Sequence, residues 1–165
     1  MKKIYLLIGL KGSGKSYAGK LMEKELGIEF LNVEEFFIKS LRDPDEFDEK
    51  ENIKVWQKIE NKIDERLLEI DQISLESVGV FDSFKKFLER LRERYQVKII
   101  KIDVLPEVAS KRIKERDSEK QIQLSEESIR KMSDLFSEEN YEYDLVLDNE
   151  NLSDEDLVKE IKKIL

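Results

Sequence analysis

Gly9-Leu10-Lys11-Gly12-Ser13-Gly14-Lys15-Ser16 carries the spacing G-x-x-x-x-G-K-[ST] in full. Each residue type in it has a task in holding a polyphosphate. Gly9, Gly12 and Gly14, three of the chain's six glycines, let the backbone curl so that successive N–H groups converge on phosphate oxygens. A helix beginning at the end of the loop adds its positive end to the same anion. Lys15 is expected to reach the β and γ phosphates of a nucleoside triphosphate, and the Ser16 hydroxyl to ligate magnesium. Lys11, Ser13 and Tyr17 complete the candidate nucleotide contacts. ATP with Mg2+ is the expected ligand pair.

The rest of the composition narrows the chemistry. The chain has 165 residues, no Cys and no His. Thiol nucleophiles, zinc-thiolate sites, serine–histidine triads and imidazole acid–base steps are therefore excluded. What remains is Lys, Arg, Asp, Glu, hydroxyls, backbone amides and hard cations. A formal net charge of −8 gives little long-range attraction for DNA or an anionic membrane, so neither is expected as a partner. Charged residues make up 41% of the chain, which fits either thermal adaptation or lineage bias. No apolar run approaches a membrane span. Met1-Lys2-Lys3 leads directly into Ile4–Ile8, too short an apolar run for a signal peptide. A cytoplasmic protein with one domain is expected.

The loop needs elements to hold it. Ile4–Ile8 is a short continuous apolar run, the mark of a strand buried on both faces. A helix is predicted from Lys15 to just before Gly27, and a second strand over Ile28–Leu31. Asp43–Glu51 reads as a solvated turn. Ile53, Trp56, Ile59, Ile63, Leu67 and Ile70 then recur at helical spacing. Strands are predicted at Gln72–Glu76, Val97–Val104 and Leu145–Leu147. Phe84, Phe87, Leu88 and Leu91 mark a helix after the third strand, and these aromatics, like Trp56, read as core. Pro106 opens a helix running to about Arg116, Ser125 caps another lined by Ile129, Met132 and Phe136, and Ser153 caps the last, striped by Leu157, Ile161, Ile164 and Leu165. Strands alternating with helices imply an α/β layered fold with a parallel sheet.

With this order of elements, the loop, and Arg112-Ile113-Lys114-Glu115-Arg116-Asp117, the whole chain resembles the nucleoside-monophosphate-kinase-like branch of P-loop proteins. That branch includes adenylate, shikimate, dephospho-coenzyme A and polynucleotide kinases. The resemblance implies a three-layer P-loop NTPase fold, with a five-stranded parallel sheet of order 2-3-1-4-5 and helices on both faces. It implies transfer of the γ-phosphoryl of ATP to a small acceptor, and a mobile lid at about 112–135 opened by the R-x-x-x-R segment, with residues 117–125 mobile without ligand. The Gly-Gly-Gly run of shikimate kinases is absent after the third strand, as are the longer adenylate kinase signatures.

The other candidate site residues follow from strand ends and charge. Residues just past the carboxyl ends of strands face the ligand crevice in doubly wound sheets. Glu34 or Glu35, after the second strand, is a candidate to orient an acceptor hydroxyl and take its proton, with Glu34 preferred. Glu76, ending the third strand, is a candidate for a magnesium-bound water or the acceptor, and Asp103 is its rival. Arg112 and Arg116, four apart on one helical face, are candidates to stabilise charge on the transferring group. Arg130 is a weaker candidate of the same kind, and Arg42 a candidate acceptor contact. The resemblance places adenine beside the turn Asp148-Asn149-Glu150. The expected activity is ATP-dependent phosphorylation of a small molecule, at a hydroxyl rather than a phosphate. A nucleoside monophosphate kinase and a P-loop ATPase or switch without an acceptor are the alternatives. The oligomeric state is not legible.

Overall fold

A computed structural model describes residues 1–116 and 121–165. Five strands form one sheet: β1 (Lys3–Ile8), β2 (Glu29–Leu31), β3 (Gln72–Ser77), β4 (Gln96–Asp103) and β5 (Leu145–Asp148). All neighbours pair in parallel, in the order β2-β3-β1-β4-β5, as the resemblance implies. β1 sits at the centre, with Leu7 level with Glu76 and Ile8 level with Ser77 of β3. A central parallel strand is covered on both faces and so tolerates no polar alternation. Ile4 through Ile8 are accordingly fully buried.

Side chains on β1 alternate between two cores, because the side-chain period of a strand is two. Ile4, Leu6 and Ile8 pack with Trp56, Ile59 and Ile63 of α3 (Glu49–Glu69) and with Phe84, Phe87 and Leu91 of α4 (Asp82–Arg94). Tyr5 and Leu7 pack on the other face with Ala18 and Met22 of α1 (Lys15–Leu26) and with Leu157 and Ile161 of the last helix, which spans Asp154–Lys162. The three-layer arrangement follows. Trp56 stacks on Phe87 with ring centroids 4.6 Å apart, a contact geometry that aromatic rings favour.

Most element boundaries fall where the local signals place them. Gly27 ends α1 at φ 68°, the left-handed position that glycine occupies without a steric penalty. Ser125 caps α6 (Glu126–Glu138) by accepting from the Ser128 amide, and Ser153 caps the last helix, α7, by accepting from Asp156. Three details differ from expectation. The stretch over Asp43–Glu51 is only partly a solvated turn: a 3-10 turn spans Pro44–Glu46, and α3 starts at Glu49 because Asp48 caps the amides of Lys50 and Glu51. Ile53 faces outward at 39% exposure, and Asn52 is buried in the helical face beside it. Leu165 lies beyond α7 and is exposed.

Between these elements, α2 (Val33–Ser40) follows β2, and α5 (Pro106–Glu115) follows β4. Among the described residues no helix is long and apolar enough to cross a membrane.

Candidate active site

The phosphate loop joins β1 to α1 at the carboxyl edge of the sheet, where the strands of such folds deliver their ligand-binding residues. Its conformation depends on glycine. Gly12 (φ 82°) and Gly14 (φ 95°) both lie in the left-handed region. A Cβ on Gly12 would collide with the Ala109 carbonyl of α5, and one on Gly14 with the Asn149 side-chain amide. The Lys15 ammonium turns into the loop and donates to the carbonyls of Gly9 (3.1 Å) and Leu10 (2.8 Å). Burial pushes its pKa down to about 8, since a cation out of water is disfavoured. The same cause lowers Lys11. The Ser13 hydroxyl is buried and has no hydrogen-bond partner among the described residues, which makes it a donor available to an anion in the loop.

Ser16 and Glu76 meet across the cleft. The Ser16 hydroxyl lies 2.8 Å from each carboxylate oxygen of Glu76. Glu76 is buried, and burial raises its pKa. Of the two strand-end acids weighed for this place, Glu76 is therefore the one at the loop. Asp103 is exposed and pairs with Lys101 instead, because the last side chain of β4 falls on the solvent side of the sheet edge.

Glu34 occupies the first turn of α2. Its Oε1 accepts from the Ile122 amide (2.8 Å) and lies 3.5 Å from the Lys11 ammonium. Its Oε2 accepts from the Arg116 guanidinium at 3.2 Å. Glu35 is exposed and accepts from the Asn32 side chain, and of the two acids only Glu34 lines the cavity at the loop. Arg112 is held by backbone: its guanidinium donates to the Ser13 carbonyl (3.2 Å) and the Asn149 carbonyl (3.1 Å). Asn149 donates to the same Ser13 carbonyl at 2.7 Å. The turn after β5 thus braces the phosphate loop directly, a role the sequence reading did not give it. Tyr17 is half exposed and donates to Asp154 of α7.

One cavity of about 420 Å3 brings these groups together: Lys11, Lys15, Ser16, Tyr17, Glu34, Glu76, Arg112 and Arg116 all line it. Arg42 does not line it. Its side chain is exposed and pairs with Glu46 one turn on, because the chain after α2 leaves the helix before that side chain can turn inward. Arg130 is exposed on α6 and is likewise not part of the wall. Asp117, the end of the arginine-containing segment, lies outside the described residues, as do 118–120 of the stretch expected to be mobile. The described part of that stretch is anchored: Gln121 donates to the Ile113 carbonyl, and Ser125 donates through both its amide (3.0 Å) and its hydroxyl (3.2 Å) to Asp45.

The wall away from the phosphate loop was missed as a site. Phe37, Phe47, Trp56, Phe81 and Met132 line it. Trp56, Phe84 and Phe87 are indeed core, at 4% exposure or less. Trp56 nevertheless has one edge on the cavity. Phe37, Phe47 and Phe81 carry no periodic signal that separates a cavity wall from a core.

The chain is similar to known kinases in sequence and in fold. The model of the shikimate kinase family matches residues 11–165. None of the curated proteins matches the sequence. Among solved structures, a sugar kinase from Janibacter sp. superposes with a TM-score of 0.73 at 15% identity, covering 99% of this chain and 94% of that one. A shikimate kinase from Acinetobacter baumannii, in complex with shikimate, gives 0.63 at 18% identity, with 99% and 92% covered. A shikimate kinase from Aquifex aeolicus gives 0.57 at 24% identity, with 98% and 94% covered.

Proposed function

This chain belongs to the shikimate kinase family, and from that premise we propose how its residues divide the work of phosphoryl transfer. The protein is an ATP-dependent small-molecule kinase that delivers the γ-phosphoryl to a hydroxyl acceptor. The observation that carries the assignment of residues is the single cavity shared by the phosphate loop, Glu34, Glu76 and the two arginines.

In this reading the loop amides and Lys15 hold the β and γ phosphates. Lys15 exchanges the Gly9 and Leu10 carbonyls for phosphate oxygens, which restores a full partner to its buried charge. Magnesium fits the donor set at Ser16: a hydroxyl and a carboxylate, both hard oxygens, with the phosphates supplying further ligands. Bound there, the ion would neutralise phosphate charge. Glu76 would hold the ion through a water of its shell, since Mg2+ usually keeps several waters.

Arg112 fixes the loop against the turn after β5, and Arg116 meets the equatorial oxygens of the transferring group. Glu34 faces the acceptor. The cations now paired with it, Lys11 and Arg116, turn to the phosphates when ATP enters, which frees a carboxylate oxygen for the acceptor hydroxyl. That hydroxyl loses its proton to Glu34 as its oxygen attacks phosphorus. The segment around 112–135 acts as a lid. The hydrogen bonds from Ile122 to Glu34 and from Ser125 to Asp45 support its closing over the cavity, where it would exclude water. ATP chemistry of this kind suits a cytoplasmic setting.

Acceptor-dependent ADP release tests the reading. Lys15→Ala is expected to abolish it while leaving the circular dichroism spectrum unchanged. Acceptor-dependent turnover surviving in that variant would remove Lys15 from the mechanism.

A further inference from the structure

The cations lining the cavity are confined to one side of it. Lys11 and Lys15 belong to the phosphate loop, Lys20 to α1, and Arg112 and Arg116 to the segment from α5 to its cap. The opposite wall, from α2, the 3-10 turn, the first turns of α3, the turn after β3 and α6, contributes no Lys or Arg among the described residues. It contributes carboxylates instead: Asp43, Asp48 and, where α2 meets the cations of the other side, Glu34. The Lys131 ammonium of α6 lies over the Phe47 ring at 5.3 Å but does not line the cavity, so an acidic acceptor would meet these carboxylates and find no guanidinium fork on this wall.

That wall is lined by rings. Phe47 and Phe81 face each other with centroids 5.3 Å apart, and Phe37 meets Trp56 edge-on at 5.2 Å. Phe37, Phe47 and Phe81 remain partly accessible, unlike the core aromatics behind them. Phe47 has φ 47° and ψ 46°, the one described residue other than glycine with positive φ. A bulky residue held in this region is strained, and such strain concentrates at ligand clamps. Asn52, only 5% exposed, is the neutral polar side chain set among these rings on the cavity wall. Asp45 ties the turn that carries Phe47 to the first residues of α6, so the wall closes from above.

We propose that the acceptor is an alcohol with a flat apolar ring and no acidic group, its ring held by Phe37, Phe47 and Phe81 and its polar edge met by Asn52. The inference rests on the kinase reading above and deepens it. The acceptor oxygen forms a bond to the γ-phosphorus of ATP. The bond from that phosphorus to the bridging oxygen breaks, ADP leaves with the electron pair, and the hydroxyl proton passes to Glu34 and then to solvent. A nucleoside and a simple aryl alcohol share this chemistry, whereas shikimate, a hydroxy acid, does not.

The test has two readouts on the full chain. Trp56 is the only tryptophan, so its fluorescence reports entry of an acceptor in the presence of a non-hydrolysable ATP analogue. Transfer from γ-labelled ATP with Mg2+ is followed in parallel for deoxyadenosine, a phenyl-substituted alcohol, shikimate, gluconate and a nucleoside monophosphate. The expected result is transfer to at least one ring alcohol with kcat/KM at least ~100-fold above the hydroxy acids, matching loss of a buried charge pairing in a site that cannot supply it. Phe47→Leu should raise the KM of that alcohol severalfold and leave the Kd of ATP unchanged. Activity on the nucleoside but not the phenyl alcohol, or the reverse, identifies which source of the ring the site takes. Preferred transfer to shikimate or gluconate would overturn the acceptor class while leaving the kinase reading intact. ATP consumed to inorganic phosphate, with no acceptor phosphorylated and no fluorescence response, would overturn both.

Discussion

Lys15 gives the sharpest quantitative handle on the site. Burial lowers its pKa to about 8 without nucleotide, and bound phosphates restore the cation. Above about pH 8 the transition between those two states takes up a proton. For a free-state pKa near 8 and a bound-state value near the ordinary ~10.4, the Kd of ATP rises about tenfold between pH 7 and pH 9, or ~1.4 kcal/mol. At pH 9 binding is accompanied by uptake of roughly 0.9 proton. Isothermal titration calorimetry in buffers of different ionisation enthalpy measures that uptake directly. The stability of the protein itself changes with pH in the opposite direction. The folded-state pKa lies below the unfolded one, so the charged lysine destabilises the empty protein at neutral pH, and stability recovers as pH rises from about 8 towards 10. Lys15→Met is therefore expected to raise the melting temperature of the empty protein at pH 7, with a gain that shrinks by pH 10, and to abolish proton-linked ATP binding. A Kd that stays constant from pH 7 to 9, with no proton uptake, would refute the account of this buried charge.

The other contacts predict separable effects. Arg112 braces the loop through Ser13 and Asn149, so Arg112→Ala should raise the KM for ATP about tenfold as well as lower kcat, whereas Arg116→Ala should lower kcat with little change in that KM; steady-state kinetics separates the two. Glu76→Gln should raise the Mg2+ concentration for half-maximal activity ~10-fold or more, the usual effect of losing an outer-shell partner, measured by metal titration at fixed ATP. Asp45→Ala removes the acceptor of the Ser125 amide, so hydrogen exchange at Ser125 should accelerate, and ATP with acceptor should protect 121–125 less than in the parent protein.

Local signals carried much of the fold. The continuous apolar run Ile4–Ile8, the glycine loop, the Ser125 and Ser153 caps and Gly27 each have a mechanism that acts within a few residues, and each lies where that mechanism puts it. The same holds for the phosphate end of the site, whose residues are nearly contiguous. The acceptor end was not legible. Its wall is assembled from three separate stretches of sequence: α2 with the turn before α3, the turn after β3, and α6. Phe47 and Phe81 look like any apolar residue until the fold sets them opposite one another. Arg42 was misplaced for the complementary reason: charge marks a residue as a candidate, but direction depends on where α2 ends. Asn149 acts through a contact spanning 136 positions of sequence, and no periodicity encodes that.

The central claim is that the γ-phosphoryl of ATP passes to a hydroxyl of a small molecule held in this cavity. Phosphorus-31 NMR of a reaction containing ATP, Mg2+ and the acceptor panel reads the outcome without coupling enzymes. The expected spectrum shows ADP and one phosphomonoester growing in equal amounts, both absent with Lys15→Ala. ADP accompanied only by inorganic phosphate, or by a new diphosphate from a nucleoside monophosphate, would contradict it.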